Sequence, residues 1–441
     1  MQLTTTTCTV PKGRVGRNFC KFLTLLFKGV RERKWNSERP MMYAKLILQT
    51  TPDVKKSCDI RTGLDLRMTL WEQGRIRALI DDVIAEIGGK PHVRREKDKA
   101  AKAQSYQARA ISGRLRSAVR EVTNHAGGKV LQPDDVFTKT GWPVLEVLQE
   151  KHPKVREPNL DDPNLKIFEE YPTVPQAVPL HITAETIEKV ASHLSGAAGP
   201  RGTDAVDLSR WLLRHSAESQ MLRNELAAMA RWIANDHPPW ADFRALMACR
   251  LVALDKEPGT RPVGIGEVYR RLFAKCVLEV YGSQATTVCG NLNLCAGLPA
   301  GIEGAVHAVT AVVVAAAADE MLPELLTQPE PLLAAPPSPE TQNFMSDEVP
   351  DFDKADTTPV TLLVDVRNGF NELGRKTMLW TIRHTWTAGA RFVFNCYRHS
   401  VQLIVRRAGG SCYVILSEEG VTQEDPLAMI LYGLVLAPLA K

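Results

Sequence analysis

Several absences narrow what this chain can be. None of its nine cysteines forms a Cys-x-x-Cys pair, so neither a zinc knuckle nor a disulfide framework is written into it, and a reducing compartment is expected. Cys289, Cys295 and His307 come nearest to a metal cluster. Their spacing does not suit a tight site, and they read as buried thiols and a core imidazole. No stretch reaches the roughly 20 apolar residues that a bilayer span needs. The run 19–27 is short and interrupted by Lys21, and the Ala/Val run 305–318 contains His307 and reads as a buried helix. No membrane partner is expected. Acid is missing from the first 31 residues, which carry six cations from Lys12 to Arg31; this faintly resembles an organelle transit segment but reads as a basic terminus. Cations are missing from 319–359, where Lys354 stands alone among acids and prolines. Such a composition does not build a packed core and reads as a disordered insertion that stays out of a nucleic-acid channel.

What is present is an ordinary soluble composition, 44% hydrophobic and 24% charged over 441 residues, enough for two or more domains. The net charge of +5 hides an asymmetry: residues 1–130 hold 27 Lys/Arg against 12 acids, or +15, which leaves −10 for the rest. A basic front suits nucleic acid or a solvated arm. Within it, 93–122 is rich in helix formers and cations with few apolar positions, and reads as an exposed helix able to track phosphates. The expected organisation is a basic region at 1–130, partly helical or disordered, then a Pro-punctuated linker at 131–182 and a helical region at 183–240. In the last, Thr183 is an N-cap, and Ile187, Val190, Ala191 and Leu194 recur at helical spacing up to Gly196. Leu208, Trp211 and Leu212, then Leu222, Leu226, Met229, Trp232 and Ile233, continue the pattern to Pro238-Pro239.

Chemistry is concentrated after 319–359. Thr361-Leu-Leu-Val364 reads as a buried strand ending in Asp365, a carboxylate suited to a divalent cation or, more blandly, to a turn or helix cap. A helix with Met378, Leu379 and Ile382 on one face follows. Val401, Leu403 and Val405 then alternate before Ala408-Gly-Gly410 turns into 412–416. The loop Glu419-Gly-Val-Thr-Gln-Glu-Asp-Pro-Leu427 opens an apolar stretch, 428–439. Gly264-x-Gly266 lacks the third glycine of a dinucleotide loop.

Val364-Asp-Val-Arg-Asn-Gly-Phe-Asn-Glu-Leu373 resembles polymerase motif A of reverse transcriptases, and Gly420-Val-Thr-Gln-Glu-Asp-Pro-Leu427 with the residues after it resembles motif B. Upstream, Leu254-Asp-Lys-Glu-Pro-Gly-Thr-Arg-Pro-Val-Gly-Ile265 resembles the fingers hairpin, and 267–277 and 294–309 resemble the blocks between that hairpin and motif A. The likeness is to non-LTR-type retroelement proteins and covers about half the chain. It implies an α+β fold: right-hand polymerase fingers at 241–318 and a partial palm at 360–441, preceded by a mainly helical N-terminal region. It also implies template-directed nucleotidyl transfer with two Mg²⁺ ions, an RNA template, a DNA primer and a deoxynucleoside triphosphate. In that frame Asp365 is the catalytic metal ligand and Val366 offers a backbone carbonyl. Lys256 and Arg261 hold triphosphate oxygens, Phe370 lies under the sugar, and Gln423 supports the template or nascent pair. Each has a plain structural reading beside it: Lys256 and Arg261 as hairpin cations, Phe370 as core, Gln423 as a loop amide.

The chain departs from the pattern at two places. Glu424 stands where motif B has glycine, a residue that permits close backbone approach. The Tyr-x-Asp-Asp hairpin expected after motif B is not met before Lys441, so Asp365 lacks the partners needed to hold two dications. The polypeptide is therefore expected to be inactive as a polymerase. A non-catalytic nucleic-acid-binding protein is the alternative.

Overall fold

A computed structural model describes residues 7–49, 57–87, 103–104, 106–107, 111, 130–137, 141–156, 172–256, 260–290, 304–307, 309–311, 366–407 and 411–440. Two compact units divide the chain: Met1–Gly297 with Asn368–Lys441, and Leu298–Arg367. In the second unit, 304–307 and 309–311 are helical and Val366 is exposed. Asp365, the strand expected at 361–364, the acidic segment 319–359 and most of 93–122 lie outside the described residues.

The first unit is α+β. Its elements are α1 (Arg14–Arg31), α2 (Glu38–Ile47), α3 (Ser57–Glu72), α4 (Ile76–Ile87), β1 (Val130–Leu131), α5 (Val144–Glu150), α6 (Ala184–Ser192), α7 (Ala205–Leu213), α8 (Ser216–Asn235) and α9 (Trp240–Met247). After these come β2 (Cys249–Asp255), β3 (Thr260–Gly266), α10 (Val268–Cys289), α11 (Gly369–Glu372), α12 (Arg375–Thr385), α13 (Thr387–Tyr397), β4 (Val401–Arg406), β5 (Cys412–Ser417) and α14 (Ala428–Ala440). None of the helices among the described residues is long and apolar enough to cross a membrane.

The basic front is not an appendage. In α1, Phe19, Leu23, Phe27 and Val30 recur every three or four residues and are all buried, while Lys21 faces out, so the cation does not interrupt the apolar stripe. That stripe packs chiefly on α8, whose Leu222, Leu226, Met229 and Ile233 share one buried face. Phe19 stacks on Tyr43 at 5.3 Å and meets Trp211 edge-on at 5.0 Å; Phe27 lies 4.9 Å from Tyr269 on α10. Each buried Phe or Leu contributes about 1.5–3 kcal/mol, which makes α1 part of the same core as the helical region. That region itself is as its periodicity implies. Thr183 caps α6 through a reciprocal pair with Thr186, each backbone N–H donating to the other's hydroxyl at 3.3 Å.

Within the passage expected to link the two regions, 131–182, the described residues hold short elements. β1, starting at Val130, adds to the sheet with Val130 opposite Leu254 and Leu131 opposite Ala253. α5 buries Val144 and Leu148, and Lys151 just after it donates to the Thr260 carbonyl at 2.6 Å. Pro133 and Pro143 lie beside these short elements, and 157–171 lie outside the described residues.

The five-stranded sheet is built around β2. β3 pairs with it antiparallel over its whole length, from Cys249 opposite Gly266 to Asp255 opposite Thr260. A strand has two edges, so β1 and β4 share the other one: β4 runs parallel along Cys249–Leu251, and β1 lies antiparallel at Ala253–Leu254. β5 closes the far side as a hairpin with β4, Arg406 opposite Cys412. Burial alternates along β2, β3 and β4, as expected of a sheet with one face on the core and one open. Register places Arg250, Val252, Ile265, Ile404 and Arg406 on the open face.

Candidate functional site

The β2–β3 hairpin carries Lys256 just beyond β2 and Arg261 near the start of β3, both exposed. The loop resembling motif B crosses the buried side of this hairpin. Thr422 lies against Gly264, where a Cβ would meet its methyl group at 2.9 Å, so the glycine permits the close crossing. The crossing brings Gln423 to the hairpin's edge, where Arg261 donates from Nε to the Gln423 side-chain oxygen at 3.4 Å. Two residues assigned separately from sequence, 162 positions apart, thus share one exposed edge.

The segment resembling motif A reaches the same loop from the other side. Asn368 adopts a left-handed conformation with φ of 54° and donates to the Lys151 carbonyl at 2.9 Å, while Asn371 donates to the Asn368 side chain. This turn delivers the Phe370 carbonyl to the Val421 N–H at 2.8 Å. Gly420 makes the contact possible: its φ is +69°, and a Cβ there would fall 2.3 Å from the Phe370 oxygen. The Phe370 ring is half-buried and packs on Tyr432 of α14 at 5.1 Å, as in the structural reading of that residue. Lys256 has no described partner among these side chains, Val366 belongs to the second unit, and Asp365 lies outside the described residues.

The loop is held from beneath by groups to which sequence reasoning gave no role. Asp425 and Arg270 pair at 2.7 Å with both side chains only 2% exposed. Tyr397 donates to the same carboxylate oxygen at 2.6 Å, and the Leu427 N–H donates to the other at 3.0 Å, which fixes the turn that leads into α14. The Arg270 guanidinium lies over the Tyr397 ring at 5.0 Å. Burial alone would lower the Arg270 pKa, but the adjoining Asp425 carboxylate reverses this and raises it above the ordinary value. Burial, reinforced by Asp425, pushes the Tyr397 hydroxyl well up. Both Asp425 and Arg270 occur within the motif-like segments, but only the packing reveals that they are one unit.

Arg375 performs a second anchoring task. Its backbone N–H donates to Glu419 at 2.6 Å, and its guanidinium donates to the Ser417 carbonyl at 3.0 Å, the Glu419 carbonyl at 2.9 Å and the Gly420 carbonyl at 3.2 Å. Burial lowers its pKa to about 10, which still leaves it charged at neutral pH. One cation thereby satisfies the carbonyls of a tight turn that would otherwise be buried without partners.

The edge is therefore a rigidly mounted amide and guanidinium facing outward, with exposed Glu424 next to them. Glu424 acts on Arg271, whose pKa burial lowers and this carboxylate partly restores. Among the described residues no group of three or more His, Cys, Asp or Glu is placed to hold a metal ion. Arg261, Gln423 and Lys256 are not Mg²⁺ ligands by their chemistry, so the described part of the site fits phosphate and amide contacts rather than the metal itself. Comparison with protein-family models and with curated proteins finds no match for this chain.

Proposed function

We propose that the chain is the fingers and partial palm of a reverse-transcriptase-like protein, with Lys256 and Arg261 contacting triphosphate oxygens and Gln423 the template or nascent pair. The supporting observation is the Arg261–Gln423 contact at one exposed edge, with the Phe370 carbonyl bonded to the same loop through Val421. Three segments that resemble family motifs converge there. In this reading the substrates are an RNA template, a DNA primer and a deoxynucleoside triphosphate, and Val366 and Asp365 keep the roles that the resemblance implies, backbone carbonyl and Mg²⁺ ligand. The chemistry that Mg²⁺ supplies is neutralisation of the pyrophosphate and activation of the 3′-hydroxyl.

The test is titration of the full chain with a fluorescent deoxynucleoside triphosphate, with and without primer–template. Arg261→Gln with Lys256→Gln is expected to weaken binding about tenfold or more, the loss of about 1.4 kcal/mol or more of charge-assisted hydrogen bonding. Equal binding by the wild type and the double variant would refute the reading. A second reading, nucleic-acid binding without catalysis, is favoured by Glu424 at the edge, where motif B has glycine. Primer extension on an RNA template with Mg²⁺ separates the two. An Asp365-dependent product would exclude the second.

A further inference from the structure

We propose that Arg250 and Arg406 on the open face of the sheet, backed by Arg201, Arg271 and Lys45, form a site for the phosphodiester backbone of a nucleic-acid strand. This site uses other residues than the Arg261–Gln423 edge and rests on the nucleic-acid-binding reading above. Arg250 and Arg261 are on the same face, but register sets them four residues apart, with Arg250 opposite Ile265 and Arg261 opposite Leu254, roughly 13 Å along the strands.

Register and charge carry the inference. Arg250 lies opposite Ile404 on β4, and Arg406, two residues on, shares that face. Across β5, the same face presents Val414 and Leu416, 54% and 42% exposed. Among the described strand residues this face holds no acid and no aromatic ring. It is suited to a strand bound through its phosphates, with apolar surface under the sugars, and not to base stacking.

Behind Arg250 the cations are crowded. The loop before α7 wraps the start of α10: Arg271 donates to the Ser195 carbonyl at 3.4 Å, and Arg406 donates to that of Pro200. The Arg201 N–H donates to Glu267 at 2.9 Å. Glu267 is fully buried and its second oxygen has no hydrogen-bond partner. The charges of Arg201, Lys45 and Arg271 all act on it. Four cations, Arg201, Lys45, Arg271 and Arg250, thus act on one buried carboxylate, with Arg406 acting on Arg250 and Lys45 and with Glu424 and Asp204 acting further on Arg271. Arg250 makes no side-chain hydrogen bond to any described residue, and its Nε is buried without a partner. Burial lowers its pKa and Arg406 and Arg271 lower it further; burial and Arg406 bring Lys45 to about 8. Excess cations that destabilise one another are relieved by an incoming anion, and a guanidinium pair presents a planar fork to phosphate oxygens.

The experiment is fluorescence anisotropy of the full chain with a labelled 20-nucleotide single-stranded RNA at increasing salt. Arg250→Gln combined with Arg406→Gln is expected to weaken low-salt affinity about tenfold. It should also reduce the slope of log affinity against log salt by about 1.4, two contacts at roughly 0.7 each. Arg250→Gln alone loses no hydrogen bond to a described residue, so its unfolding midpoint should match the wild type while affinity falls about threefold. Glu267→Gln should tighten RNA binding, the direction that removal of an opposing carboxylate requires and that a merely structural role would not give. No RNA binding by the wild type, an unchanged affinity and slope in the Arg250 variant, or no tightening in the Glu267 variant would each overturn the proposal.

Discussion

Gln423 and Asp425 stand two residues apart in one loop and meet opposite surroundings. Asp425 is sealed against Arg270 and Tyr397, whereas Gln423 reaches an exposed arginine at the edge of the hairpin. One loop therefore holds a fixed end and a presented end. Rigidity is invested where nothing binds, so that the outward pair keeps its place without being packed itself. A contacting group held by rotamers that packing has locked is worth more than one on a free loop.

Substitution should be felt most at the buried end of the loop. Asp425→Ala should lower the unfolding free energy by about 3–5 kcal/mol, because it leaves Arg270 charged and unpaired in the core; urea unfolding measures it. If the loss is below about 1 kcal/mol, the pair does not anchor the loop. A second buried carboxylate sharpens the contrast, since Glu267 has a backbone N–H donor but no paired guanidinium like that of Asp425. Burial raises its pKa from 4.5 to about 7. The folded state then holds this proton between those values while the unfolded state releases it, so stability falls as pH rises from about 4.5 to about 7 and stays lower above. Glu267→Gln removes that dependence. Its stability relative to the wild type should rise by about 3 kcal/mol between pH 4 and pH 8 in parallel denaturant titrations. A pH-independent difference would show that the carboxylate is not stressed.

Where the loop begins, Gly420→Ala forces a side chain into a left-handed position against the Phe370 carbonyl. A loss of about 2 kcal/mol is expected in urea unfolding, together with weaker nucleotide binding as Gln423 shifts. Arg261→Gln should be the mildest, within about 0.5 kcal/mol of the wild type in stability, with its effect confined to ligand affinity. A large stability loss there would mean that the edge is structural after all.

How far these features could be read from sequence depends on the distance over which each is decided. The helices at 183–240 were legible because Ile187, Val190 and Ala191, or Leu222, Leu226 and Met229, mark a face by local periodicity alone. The β4–β5 hairpin was legible for the same reason, through the alternation at Val401, Leu403 and Val405. α1 was missed as core because Lys21 interrupts its apolar run in sequence but not on the helix surface. The strand at Val130–Leu131 was missed because two residues are too few for any period. Arg270 and Asp425 lie 155 residues apart, and no local rule joins them. The assignments of Arg261 and Gln423 came from resemblance, and their contact in the fold is the part that spacing did not supply. The α+β class was implied by the resemblance, and the helices with a five-stranded sheet agree with it.

The shared edge of β2 also bears on how the chain is made. When β2 leaves the ribosome, β1 and β3 are its near neighbours in synthesis, one already present and the other next to emerge. The stretch Cys249–Leu251 pairs with Leu403–Val405 and stays bare until that much later strand is translated. Unpaired strand edges recruit other chains. The nascent protein thus carries an open strand edge at these three residues over a long stretch of translation.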